Sequence, residues 1–137
     1  MSDTATTPLE ASALDRIFRD ARSQNRWLDT PVSDDQLREL HDLMKWGPTS
    51  GNGWPARLVY VRTPEGKEKL AGTAMGSNAV KIRQAPVTVI IGHDLRFFDK
   101  MDQLFPHDDT MPKLFAANEE LAHVTAVRNG SLSRAPT

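Results

Sequence analysis

The chain has no cysteine. That excludes disulfides, thiolate metal sites and cysteine nucleophiles, and it suits a cytoplasmic setting. Neither sign of charge is in surplus, since 17 Lys and Arg stand against 18 Asp and Glu for a net charge of −1. Without a basic excess there is nothing to attract a phosphate backbone, so nucleic acid is not an expected partner. Long hydrophobic runs are missing too. The longest, Val87 to Ile91, is far too short to span a bilayer, and no membrane role is expected. Met1 to Pro8 carries neither the apolar nor the basic region of a secretory signal, and residues 1–8 read as a disordered lead-in. There is no internal repeat, no low-complexity tract, no Gly-x-Ser-x-Gly elbow and no P-loop. No side chain is therefore assigned as a catalytic nucleophile.

What remains is one domain's worth of ordinary globular sequence: 137 residues, 39% hydrophobic and 26% charged. Leu14, Ile17, Phe18 and Ala21 recur at helical spacing, which predicts an amphipathic helix over about 9–23. Ser33-Asp34-Asp35-Gln36 has the form of a capping box and starts a second helix, with Leu37, Leu40, Leu43 and Met44 as its buried stripe. Gly47-Pro48 stops it. Pro48 to Pro55 is a loop by composition. Leu58 to Val61 predicts a strand. Short helices are expected at about 64–71 and 77–83, and Ala85-Pro86 breaks the chain before the strongest strand, Val87 to Ile91. Phe97 to Leu104 reads as helix and Pro106 to Pro112 as loop. A last helix runs from near Asn118 toward Val127, with Leu121, Val124 and Val127 on its apolar face. This order predicts helices packed on a sheet. Two strands rarely make a stable sheet alone, so the sheet is expected to be incomplete. From Gly130 onward the apolar pattern collapses, and 133–137 reads as an unrelated polar tail.

Three constellations could carry chemistry. Arg22-Ser23-Gln24-Asn25-Arg26 places two guanidinium forks around small polar side chains, which suits a phosphate and a polyol; it also suits a solvated helix end. Trp46-Gly47-Pro48-Thr49-Ser50-Gly51-Asn52-Gly53-Trp54-Pro55 offers close backbone approach, polar side chains and two indoles able to cover a flat ring. Equally, the tryptophans could plug a core. His107-Asp108-Asp109, with His93-Asp94 upstream, has the residue types of a metal site but not the spacing, and it reads as an exposed turn. No metal ligand is assigned.

The first two segments, in this order, resemble the FMN-binding nitroreductase family. Within it, the chain looks most like the branch that contains malonic semialdehyde reductase. The likeness covers nearly all of residues 9–132, read as a partial domain. It includes Thr30-Pro31-Val32-Ser33-Asp34, Pro55-Ala56-Arg57, Thr63 to Glu68, Ala85 to Thr88, Leu104 to His107 and Arg128-Asn129. The resemblance implies an α+β fold, truncated here, with helices on an incomplete sheet. It also implies a homodimer with FMN at the subunit interface. By the family pattern the flavin phosphate and ribityl chain fall on Arg22, Ser23, Gln24 and Arg26. The loop that meets the flavin of the other subunit falls on Pro48, Thr49, Ser50 and Asn52. The implied reaction takes a hydride from NAD(P)H through FMN to a small acceptor, an aldehyde such as malonic semialdehyde or a nitro or enone compound. Gln24 stands where the branch commonly has His or Ser, and Gly53-Trp54 replaces smaller residues. The Gly-rich segment and late basic residues that complete the family's flavin site are not in the chain. Poor flavin retention is therefore expected, with a non-catalytic remnant or a partner-binding module as the alternative reading.

Overall fold

The computed structural model describes residues 8–132; the predicted lead-in (save Pro8) and the polar tail lie outside the described residues. The first helix, α1 (Ala11–Leu14), widens into a π-helical turn over Asp15–Arg19 and ends there. It stops short of the predicted end at residue 23. Phe18 is 66% exposed, so the wide turn has carried it off the stripe that Leu14 and Ile17 share. The chain then crosses residues 20–32 without regular structure, held at Trp27, whose Nε1 donates to the Lys81 carbonyl at 3.0 Å.

The second helix, α2 (Asp34–Met44), begins on the predicted capping box. Gln36 N–H donates to Ser33 Oγ at 3.1 Å, and Ser33 N–H donates to Gln36 Oε1 at 2.8 Å. Leu37 is buried and Leu43 is not, so the inward stripe is narrower than its sequence suggests. After β1 (Ala56–Val61) comes α3 (Pro64–Ala71), with Thr63 as its cap and Pro64 in its first turn, where a missing N–H costs nothing. Next is α4 (Ser77–Gln84), ended by Ala85 in the extended conformation that the following proline demands. Strand β2 (Thr88–His93) follows.

The two strands pair antiparallel, from Ala56 opposite His93 to Val61 opposite Thr88. They are the only sheet among the described residues. Arg57 and Asp94 close its open end with a 2.5 Å ion pair. One face is covered where α7 (Glu119–Leu132) sits against both strands. The approach is so close that a Cβ on Gly130 would stand 2.4 Å from His93 Cδ2. On the other face Val59 and Ile90, register partners, are 56% and 41% exposed. The strongest strand of the sequence is thus one half of a two-stranded ribbon among the described residues.

The core lies beside the sheet. Phe97 and Met101 are essentially inaccessible and pack with Phe115, Ala122 and Ala126. Phe97 leads a 3-10 turn over Phe97–Lys100, which passes into α5 (Met101–Leu104). Phe115 belongs to α6 (Thr110–Ala117), which begins inside the segment predicted as loop. Helix α7 continues past the predicted end at Val127 to Leu132. Its buried side is Ala122, Ala126, Asn129 and Gly130, while Val124 and Val127 stay partly exposed. Small side chains let this helix lie close to the core and the sheet.

Candidate functional site

The loop between α2 and β1 is the most tightly built part of the candidate site. It contains a 3-10 turn at Ser50–Asn52, and three of its residues have left-handed backbone: Gly51 at φ +53°, Asn52 at +50° and Trp54 at +42°. Glycine takes this conformation freely and asparagine tolerably, but at a tryptophan it costs about 1–3 kcal/mol and persists only where the surroundings over-determine it. Those surroundings are specific. Trp54 N–H donates to Thr49 Oγ1 at 3.2 Å across the loop. Asn52 Nδ2 donates to the Leu104 carbonyl at 3.1 Å. Ser50 N–H donates to Asn129 Oδ1 at 3.0 Å, and Asn129 Nδ2 lies 3.3 Å from Ser50 Oγ. Beneath, a Cβ on Gly53 would stand 2.6 Å from Phe97 Cδ2, so the backbone rests directly on the core phenyl ring.

Beside this loop a cleft of about 1110 Å³ opens between α2 and β1. Trp46, Asn52 and Trp54 line it from the loop, His41 and Lys45 from α2, and Tyr60 from β1. The Trp54 and His41 rings meet edge-on at 5.2 Å. Trp54 Nε1 is buried and has no hydrogen-bond partner within the described residues. Trp46, by contrast, is 81% exposed. The two indoles of the sequence motif therefore part company: one is seated against the cleft wall and the other stands out from the end of α2. Asp42, on the cleft rim, is held below the ordinary carboxylate pKa by the hydrogen bond and charge of Lys45.

The arginine segment is built differently. Residues 22–26 are all exposed. Arg22 turns its guanidinium onto the carbonyls of Arg19 and Ala21, at 2.9 and 2.7 Å, and Gln24 donates to the Arg22 carbonyl at 3.3 Å. Six other arginines are ion-paired with carboxylates, but among the described residues neither Arg22 nor Arg26 has a carboxylate partner. Their charge is available. Of the loop's candidate residues Asn52 lines this cleft while Pro48, Thr49 and Ser50 do not, and none of residues 22–26 does, so among the described residues this cleft does not gather the two sets.

At the acidic turn, Asp108 accepts from the backbone N–H and hydroxyl of Thr110, and Asp109 pairs with Lys113. These carboxylates start α6. Asn129 was not singled out from the sequence by any chemical argument. A polar residue spaced with Ala122 and Ala126 on the inward side of a helix was the available signal.

The known proteins that this chain resembles agree with one another. The model of the nitroreductase family matches residues 18–127, a span that includes both candidate segments. A protein of Cupriavidus pinatubonensis named as an NADH dehydrogenase/NAD(P)H nitroreductase is 54% identical over 121 residues, which are 87% of this chain and 62% of that one. This chain thus spans less than two thirds of that relative's length. Among solved structures, a nitroreductase of Exiguobacterium sibiricum in complex with FMN superposes with a TM-score of 0.74 at 15% identity, over 95% of this chain and 68% of that chain. A Bacillus subtilis nitroreductase superposes at 0.75 with 18% identity, over 90% and 67%. The enone reductase CLA-ER, of gut-bacterial fatty acid saturation metabolism, gives 0.74 at 18% identity, over 88% and 65%.

Proposed function

This chain belongs to the nitroreductase family and has its α+β fold, and from that premise we propose that it serves an FMN-dependent NAD(P)H oxidoreductase. The observation that carries the reading is the family match over residues 18–127, which takes in Arg22 to Arg26 and Pro48 to Asn52 together. The acceptor is a small electrophile: an aldehyde such as malonic semialdehyde, or a nitro or enone compound. The enone reductase among the structural neighbours supports that class.

The donor set fits the cofactor's chemistry. Arg22 and Arg26 are exposed cations without carboxylate partners, suited to a phosphate, and Ser23 and Gln24 beside them suit the hydroxyls of a ribityl chain. Pro48, Thr49, Ser50 and Asn52 form the loop that faces the ring system, with the unmet Trp54 Nε1 close by. FMN, when bound, supplies the two-electron hydride chemistry; the chain positions it and keeps water away. In a homodimer, the loop of one subunit serves the flavin held by the arginine segment of the other. The separation of the two residue sets within one chain supports that arrangement.

The test is to purify the 137-residue chain, record its visible spectrum with and without FMN, and measure its size by gel filtration. A yellow, soluble dimer that keeps its flavin through the column, and then oxidises NAD(P)H, supports the reading. A second reading, a remnant that does not retain flavin, is favoured by the exposed Val59–Ile90 pair on a two-stranded sheet. A colourless or aggregated product would establish it.

A further inference from the structure

We propose that Asn129 is a positioning residue: from α7 it holds the 48–55 loop in its left-handed conformation and thereby sets the face that the loop presents to a ligand. The assignment of that ligand as flavin rests on the reading above; the latch itself does not.

The side chain is 7% exposed, and Asn129 is the buried polar residue of the core region. Both ends of its carboxamide are engaged. Oδ1 accepts from Ser50 N–H at 3.0 Å, and Nδ2 donates to the Thr125 carbonyl at 2.8 Å and approaches Ser50 Oγ at 3.3 Å. The orientation is dictated by these partners. Turned over, the amide would oppose one N–H with another and one carbonyl with another. Only a carboxamide meets a donor on one side and acceptors on the other, so neither Asp nor Leu reproduces the contact. Gly130, the next residue, lets α7 lie against His93 and so brings Asn129 to the loop across 79 positions of sequence.

The loop needs such a hold. Gly51, Asn52 and Trp54 all sit at positive φ, and Ser50 opens the turn that contains the first two. A tie at Ser50 fixes the start of the turn while Thr49 Oγ1 receives the Trp54 N–H at its far side. A further consequence concerns Ser50. Its N–H and its hydroxyl both face Asn129, which makes its hydroxyl part of the latch, and Asn52 becomes the side chain of the turn that lines the cleft.

The experiment measures amide hydrogen exchange at Ser50, and FMN affinity, in the 137-residue chain and in Asn129→Leu, Ser50→Ala and the double variant. Asn129→Leu roughly keeps the side-chain size and removes the oxygen that accepts from Ser50 N–H together with both donated bonds. Ala71→Gly, in α3 and remote from the loop, serves as a control for general loss of stability. In Asn129→Leu the Ser50 amide should exchange roughly tenfold faster, the equivalent of one lost hydrogen bond. FMN affinity should fall by about the same factor, while Ala71→Gly alters neither by more than about twofold when compared at matched stability. Because Ser50 and Asn129 act as one unit, the two substitutions should be less than additive in FMN affinity. An unchanged Ser50 exchange rate in Asn129→Leu overturns the latch, whether or not flavin binds. Full additivity overturns the place of the Ser50 hydroxyl in it. Failure of the parent chain to bind FMN strikes the flavin reading alone, because the exchange result still decides the latch.

Discussion

The two halves of the candidate site are built in opposite ways. The 48–55 loop is tied by side-chain hydrogen bonds to α7 and to the end of α5, rests on Phe97, and carries three left-handed residues. The 22–26 segment is exposed at every residue, bonds mainly to its own backbone, and follows a helix that ends early in a π turn. The difference teaches where the chain alone determines geometry. Strain is stored where the core can hold it, and charge is displayed where nothing yet neutralises it. The loop is complete within one chain.

Breaking the first half should have the largest effect. Phe97 is 1% exposed and packs edge-on with Phe98 and Phe115, at centroid distances of 5.8 and 5.0 Å. Phe97→Ala removes the floor of the loop and opens a cavity in the main core, which should lower unfolding stability by about 3–5 kcal/mol. A urea titration of the variant against the parent measures this. A loss near that of an ordinary surface change would mean that the loop is not founded on the core.

This contrast was partly legible in the sequence. The capping box at Ser33, the start of α3 at Pro64 and the break at Ala85-Pro86 follow from local chemistry, and the structure has them at those residues. Elements set by tertiary packing were harder to read. The α6 start hides among Pro, Asp and His because Asp108 and Asp109 serve it as turn and ion-pair partners rather than as loop filler. Helix α7 was expected to bury Leu121, Val124 and Val127. Leu121 does pack, partly buried, against the core, but Val124 and Val127 stay partly exposed and the buried positions are Ala122, Ala126, Asn129 and Gly130, since the neighbours demand close approach more than bulk. The site was legible as two stretches of suitable residues. The partner that shapes one of them, Asn129, lies 79 positions from Ser50, and its local signal is no more than a polar residue spaced with Ala122 and Ala126.

The second half sharpens the comparison by showing the reverse pattern. Among the described residues the Arg22 guanidinium bonds to the nearby carbonyls of Arg19 and Ala21. Arg22→Ala should leave unfolding stability within about 0.5 kcal/mol of the parent. If the segment holds the flavin phosphate, the same change removes a charge-assisted bond and should weaken FMN binding by about tenfold or more. Fluorescence titration of FMN alongside thermal unfolding reads both quantities. An unchanged dissociation constant would remove Arg22 from the phosphate site, and a large stability loss would show that the segment is not merely displayed.

The smallest expected effect is one of pH, and it falls on the tied half. Asp108 is held below the ordinary carboxylate pKa, first by the Thr110 hydroxyl and then by the Thr110 and Met111 backbone amides. The charged form is thus favoured in the folded state. A group whose folded pKa is depressed adds stability that is present above its unfolded pKa of about 3.9 and is lost as pH falls through the folded value. Helix α6 should therefore loosen at its first turn only in acid, below about pH 4. Met111 in that turn lies under Gly51, where a Cβ would come within 3.1 Å of its sulfur. Loosening there should reach the loop, and Ser50 amide protection should fall together with α6 protection as the solution is acidified. Asp108→Asn keeps an acceptor oxygen but no charge, and it should weaken that acid dependence, with Asp109, likewise held low by Lys113, carrying the rest, while leaving residues 22–26 as exposed as before. If protection at Ser50 and at α6 declined independently, the loop would owe its shape to α7 alone, with α6 contributing only bulk beneath it.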